Sequence, residues 1–330
     1  MELKNYPNDF ASAYADNHFS FAEVDPANPT DVVFYDAKGD IVALRRYVGR
    51  ESFESSPNTL LCRLLSPEPL AKVSECGFVR PEGRDALLSV EYSDGEKVTP
   101  QILFTSSHYN HSANTVMGGV EQWRTIASGE CDEVAFCVAS GVTLSASLWV
   151  DGAMMTTIGS YTAPTKGVVL FEVAADNLLS RLRNPENVSE CDLRFDINGV
   201  ECAMLHYRWR SACRSDVRVA WLNTEGGISY HTFRLANKTI HRSSKECDTL
   251  LGRQMMSVES WIESVLLSEV LSSVEARALS EILTSPRLWI CSDEGFEPQV
   301  ILSHKLLLEG DGVRRMTLTI RPAKSQCFSV

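Results

Sequence analysis

Between Val217 and Phe233 two alternating runs flank a polar turn, Asn223-Thr224-Glu225-Gly226-Gly227. Alternation at period two places Val217, Val219 and Trp221 on one face of a strand, and Ile228, Tyr230 and Thr232 on one face of the strand that returns. The segment therefore predicts a β-hairpin. Gly226 and Gly227 suit the positive φ angles of short hairpin loops, and Asn223 can bond its own backbone to open the turn. Trp221, Asn223, Gly226, Gly227 and Phe233 are the residues expected to define this structural hairpin.

The same grammar runs through most of the chain. Asp31 to Asp36 and Ile41 to Val48 flank the turn Ala37-Lys38-Gly39-Asp40, and Ala86 to Tyr92 turns at Ser93-Asp94-Gly95-Glu96 into Lys97 to Phe104. Trp123 to Ile126, Asp132 to Val138, Val142 to Val150, Ala153 to Tyr161 and Val168 to Val173 also read as strands. Asn198-Gly199 joins Asp192–Ile197 to Val200–Tyr207, a strong short hairpin signal. Ala174 to Arg183 reads as a short helix. Farther on, Val258, Trp261, Ile262, Val265 and Leu266 recur at helical spacing, as do Val274, Ala278, Leu279, Ile282 and Leu283, with Ser257 and Ser273 as caps. Strands return at Arg287 to Cys291, Gln299 to Ser303 and Val313 to Ile320. The expected fold is mainly β: tandem β-sandwich domains of immunoglobulin or fibronectin-like type over 1–127 and 128–214, then an α+β domain with two helices over 215–330. A length of 330 residues suits two or three such domains.

Composition narrows the function classes. A hydrophobic fraction of 44% with 22% charged residues is that of a globular chain, and no apolar run approaches the ~18 residues that span a bilayer, so membrane insertion is not expected. Net charge is −12, from 43 acidic and 31 basic residues, which opposes a nucleic-acid partner because phosphate needs a clustered positive surface. Arg208, Arg210 and Arg214, interleaved with Tyr207 and Trp209, read as the outward face of a strand. Met1 to Asp16 lacks a basic start and an apolar h-region. The expectation is synthesis in a bacterial cytoplasm without a signal peptide, with the ten cysteines mostly reduced, since none forms C-x-x-C and most sit in apolar strands.

Chemistry is sparse in this sequence. His108 and His111 form H-x-x-H in an aperiodic loop with no carboxylate pair to complete a metal site. Together with Tyr109, Asn110 and Asn114 they could instead stack on and hydrogen-bond a glycan. No nucleotide-binding glycine loop or nucleophile elbow follows a strand. Acidic pairs such as Glu130 with Asp132, or Glu309 with Asp311, are ordinary in so acidic a chain. No catalytic residue, metal or cofactor is expected, and the tryptophans are expected in cores.

Trp221-Leu222-Asn223 with Gly226-Gly227 and Phe233, then Ser260-Trp261-Ile262-Glu263-Ser264-Val265-Leu266 and Leu283-Thr284-Ser285-Pro286-Arg287-Leu288-Trp289, resemble segments of virion or tail-associated structural proteins of bacteriophages and prophages from gut bacteria. The resemblance implies a non-enzymatic component of a virion, tail or baseplate. Its expected partners are copies of itself and neighbouring virion or tail subunits. A carbohydrate- or receptor-binding module contacting a host surface glycan is the alternative.

Overall fold

A computed structural model describes residues 1–330 except 71–72, 93–96, 183–184, 250–251, 293, 309–313, 325 and 330. It leaves the side chains of 245–249, 252–259, 306–308 and 326–329 undescribed as well. The expected turn at Ser93 to Glu96, the pair Glu309 and Asp311, and the side chain of Ser257 lie outside the described residues. The fold is mainly β, in three bodies that share apolar contacts.

The first body faces a three-stranded sheet (Glu2–Asn5, Phe19–Ala22, Phe53–Ser55) against a six-stranded sheet centred on Asp85–Tyr92. Phe19 and Phe21 from the small sheet meet Phe34, Leu88, Val90 and Phe104 from the large one. Leu61 closes this core from a short helix, Asn58–Leu64, that begins directly after Pro57, where proline's fixed φ favours a helix start.

The second body is a β-sandwich. One sheet runs Thr115–Met117, Cys131–Val138, Gly167–Ala174, Gly77–Val79 and the other Glu121–Ile126, Val200–Trp209, Glu190–Ile197, Thr143–Val150, Ala153–Thr162. Alternate residues of each, Val134, Phe136 and Val138 on one side and Leu144, Leu148, Phe195 and Leu205 on the other, form one buried cluster, as expected for two sheets packed face to face. Strands on both sides of residue 128 contribute to both sheets. The expected helix near Ala174 is present as Ala175–Ser180. Asn198 and Gly199 have φ of 51° and 79°, as a two-residue hairpin loop requires. The outer face of the first of these sheets is not exposed: Ala135, Cys137, Val168 and Leu170 pack on Phe10 and Leu103 of the first body.

The third body is a closed barrel. Asp216–Leu222 pairs with Ile228–Thr249, which pairs with Gly252–Leu267, then Arg314–Pro322, Gly295–Leu308, Leu288–Ser292 and back to Asp216–Leu222, every pairing antiparallel. Val219, Trp221, Phe233, Leu266, Met316, Leu318 and Ile320 fill it, and Leu271, Ala276, Leu279 and Ile282 plug it from a helix at Ser273–Ser280 and the 3-10 turn Glu281–Leu283. The first of the two expected helices, Val258 to Leu267, is a strand. Ser264, Leu266 and Ser268 are buried while Leu267 is exposed, a period of two. Val258, Ile262 and Val265 are β-branched, and in the barrel both edges of the segment meet a neighbouring strand. Three- and four-residue spacing also contains pairs two apart, so tertiary pairing decides between helix and strand. The second helix stands, with its cap at Ser272 instead of Ser273: Ser272 Oγ accepts from Glu275 N at 3.2 Å and Glu275 Oε2 accepts from Ser272 N at 2.7 Å, a capping box.

Candidate functional site

The two groups of residues that stand out in the sequence meet one another. The turn of the 217–233 hairpin inserts against the loop that follows Ile102–Thr105. Asn223 Oδ1 accepts from Gly227 N at 3.0 Å and closes the turn. Across the junction, His108 N donates to Thr224 O at 2.8 Å, Ser106 Oγ to Gly226 O at 3.0 Å, and His111 Nε2 to Glu225 O at 3.0 Å. Gly226 has φ of 84°, and a Cβ there would lie 2.5 Å from Ser107 N. Gly227 lacks the expected positive φ; its small size matters because a Cβ would come 2.8 Å from Met117 O. Trp221 and Phe233 lie inside the barrel. Register Trp221↔Ser229 and Ala220↔Tyr230 sends Trp221 into the barrel and Tyr230 out toward the sandwich.

Most of the candidate glycan loop is committed to this clasp. His108 stacks on Tyr14 at 4.8 Å, Asn110 Oδ1 accepts from Ser12 N at 2.8 Å, and Asn114 Oδ1 accepts from Ala139 N at 3.0 Å. Tyr109 is exposed. His111 also borders an open depression of about 560 Å³ where Lys166 pairs with Asp9 at 2.6 Å.

Beneath the clasp lies a buried charge network at the junction of all three bodies. Glu130, Asp132 and Glu133, at and beside the start of Cys131–Val138, meet arginines from four directions. Arg84 reaches Glu133 at 2.8 Å, Arg124 bonds Asp132, Arg210 reaches Glu130 at 2.7 Å and Asp216 at 2.8 Å, and Arg218 reaches Glu130 at 3.3 Å. Tyr207 and Tyr230 hydroxyls donate to Asp132 and Glu133 at 3.1 and 3.2 Å. Burial pushes the Glu130 carboxyl up, but Arg218, Thr232 and Arg210 offset it and hold the group below its ordinary range. For Glu133 burial wins over Arg84 and the carboxyl is raised. Arg210 thus faces a buried carboxylate instead of the outward strand face expected of it; the strand ends at Trp209 and only Arg208 stays on that face, beside Glu190 and Glu275. With their charges paired inside the junction, these groups tie the bodies together.

Beside the network opens a cleft of about 520 Å³. Its walls are the sandwich edge strand Glu121–Ile126, the barrel hairpin, and the helix Ser273–Ser280. Trp123 lies on the first wall, 39% exposed, and departs from the expected core placement of tryptophans, as do the half-buried Trp149, beneath Arg194, and Trp261, stacked on His241. It stacks on His206 at 4.1 Å with 17° between planes. The imidazole is fixed in turn by Asp192 at 2.8 Å on Nδ1 and Glu121 at 3.1 Å on Nε2. On the second wall Trp221, only 4% exposed, has no acceptor for its indole N–H, and His231 Nε2 is likewise buried and unpartnered. Burial, then the charge of Arg218, lowers the His231 imidazole to about 4, so it is neutral near pH 7. Glu281 on the helix side is raised by burial and then by the charge of Glu225. Among the described residues no group of three or more His, Cys, Asp or Glu is placed to hold a metal ion. Neither Trp123 nor His206 carries a motif; only the exact cross-strand pairing Trp123↔His206 makes the stack, and that pairing is parallel and 83 residues apart in sequence.

No family model matches the chain, and no curated protein does. Among solved structures, the tail of an empty GTA particle with C6 symmetry is similar at 15% identity over 34% of this chain and 95% of that one, with a TM-score of 0.23. The BSP domain of a biofilm-associated protein gives 12% identity, 61% and 28% coverage and a TM-score of 0.18. An alpha-2-macroglobulin from Escherichia coli, spanning domains MG0-NIE-MG1, gives 9% identity, 78% and 92% coverage and a TM-score of 0.26. TM-scores this low do not indicate a shared fold.

Proposed function

We propose that the chain is a non-enzymatic structural protein that assembles with copies of itself through a β-ribbon extending from its barrel. The observation that carries this reading is the length of two strands. Ile228–Thr249 pairs with Asp216–Leu222 only as far as Arg234, and Gly252–Leu267 pairs with Arg314–Pro322 only from Ser264. Among the described residues, the strands from Lys238 to Thr249 and Gly252 to Glu263 pair with each other, with 326–329 added along Ser257–Ser260. At ~3.3 Å per residue this ribbon is about 40 Å long.

A two-stranded ribbon is marginal in water on its own. This one also carries Ile240 and Ile262, directly paired and 77% and 44% exposed. Its free edge offers unpaired backbone groups to another strand. A second copy of the chain supplies both a strand edge and an apolar cover, while the clasp and the charge network give the ribbon a stiff base. The resemblance of the sequence to bacteriophage virion and tail-associated proteins makes a virion, tail or baseplate the setting of this proposal, with neighbouring subunits as further partners.

Light scattering over a wide concentration range, with electron microscopy of the same sample, tests it. The expected result is a closed oligomer that the double variant Ile240→Lys/Ile262→Lys converts to monomer with an unchanged thermal midpoint. A chain that stays monomeric at every concentration, or a variant that assembles as the parent does, overturns the proposal.

A further inference from the structure

The cleft beside the junction has features that packing alone does not call for. An indole on the outer face of an edge strand would ordinarily be free to turn. Trp123 instead rests on an imidazole anchored at both nitrogens, by Asp192 and Glu121, and it lines the cleft with more than a third of its surface exposed. A flat apolar surface held rigid in a concave site suits a ligand with a flat apolar face of its own.

The surroundings of that ring are polar. In the parallel pairing of Glu121–Ile126 with Val200–Trp209, Met204 N donates to Val120 O at 2.7 Å and Arg210 N to Ile126 O at 3.1 Å. Even-numbered residues therefore bond within the sheet, and the N–H and C=O of Trp123 turn to the open edge, which borders the cleft. Opposite them stands Trp221, most of its side chain buried in the barrel core. The walls also carry Gln122, Asn223 and Ser229; Gln122 bonds Arg124 and the Gly119 carbonyl, and Asn223 bonds Gly227 N and Ser229, while each group keeps further hydrogen-bonding capacity.

Charge selects among ligands. Four acidic residues, Glu121, Glu225, Glu275 and Glu281, line the cleft against two basic ones, Arg124 and Arg277; Glu121 and Glu275 pair with His206 and Arg208, and Arg124 with Asp132. An anionic sugar or a phosphate would meet like charge. The volume, about 520 Å³, falls inside the usual range for small-molecule sites of roughly 300–1,000 Å³. We propose that this cleft binds a neutral saccharide, with Trp123 as the stacking platform, the edge-facing backbone groups of Trp123 as hydrogen-bonding partners, and the acidic rim as the barrier to anionic sugars. The site is independent of the ribbon, so it stands or falls apart from the assembly proposal.

Saturation-transfer NMR and titration with maltose, lactose and N,N′-diacetylchitobiose test it, with glucuronic acid and tetralysine as charged controls. Binding of at least one neutral disaccharide is expected at a Kd on the order of 1 mM. Trp123→Ala should weaken it about tenfold and Trp123→Phe much less, because the phenyl ring keeps part of the platform. Circular dichroism and the thermal midpoint establish that both variants are folded. Failure of all three disaccharides to bind up to about ten times that concentration, equal binding by a folded Trp123→Ala chain, or stronger binding of glucuronic acid or tetralysine overturns the proposal.

Discussion

Individual residues at the junction are held by charge and by the absence of water. Arg84 and Glu133 are 2% and 0% exposed at their side chains and 2.8 Å apart. Removing one partner strands the other in a medium that cannot solvate it. Arg84→Met is therefore expected to lower unfolding stability by about 3–5 kcal/mol, and the double variant Arg84→Met/Glu133→Gln to recover a large part of that, as read by urea denaturation. His231 offers a check of opposite origin. Arg218 and Arg210, and in the opposite sense Glu275 and Glu130, act on it through their charge, and burial with the positive charge of Arg218 keeps it neutral down to about pH 4. The unfolded chain takes up that proton near pH 6.5, so the contribution of His231 is complete above 6.5 and is lost as pH falls toward 4. The stability difference between the parent and His231→Phe should shift against the parent across that window, measured by urea midpoints at pH 7, 6 and 5; a difference independent of pH would contradict the assignment. None of this is visible in sequence. Glu130 and Asp132 look like any acidic pair until three arginines, from positions 124 to 218, arrive beside them and Arg84 joins the adjoining Glu133.

Elements behave as local patterning predicts wherever one neighbour settles the outcome. The hairpins at Asn198-Gly199 and 217–233 follow from alternation and turn chemistry, and the helix Ser273–Ser280 from its apolar spacing and capping residues. The strand Gly252–Leu267 departs from its helical spacing because barrel closure pairs it on both edges. The clasp is the element on which the relation of barrel to sandwich depends most directly. Gly226→Ala combines a left-handed backbone with a Cβ placed against Ser107 N and the Ser106 carbonyl carbon, and should cost about 1–3 kcal/mol. Hydrogen exchange is expected to show faster exchange at His108, whose N–H bonds Thr224 O, with little change at Leu144, deep in the sandwich. Unchanged exchange at His108 would mean that the turn does not hold the loop.

At the scale of the molecule the three bodies are continuous through buried contacts. Phe10 and Leu103 pack on the back of the sandwich, Tyr230 reaches Glu133, and Arg218 of the barrel bonds the Cys131 carbonyl at 3.0 Å. Both faces of Asp216–Leu222 are buried as a result, Val219 and Trp221 in the barrel core and Ala220 and Leu222 against the neighbouring cluster. An alternating strand with one buried face suits an isolated domain; here the second face is consumed by the junction. What extends outward is the ribbon, with Ile240 and Ile262 exposed on it, and that contrast with the fixed base underlies the assembly proposal.

The amino-acid sequence by itself determined the β character of the chain, most strand positions, the turn at Asn223 to Gly227 and the second helix, because each depends on interactions among residues near in sequence. Only the tertiary structure decided that the third body closes as a barrel, that the histidine loop and the hairpin clasp one another, and that Trp123 is held on His206 at the edge of a cleft. Those outcomes depend on which strand edges meet and which charges are buried together, and contacts between residues tens to more than a hundred positions apart leave no local period to read.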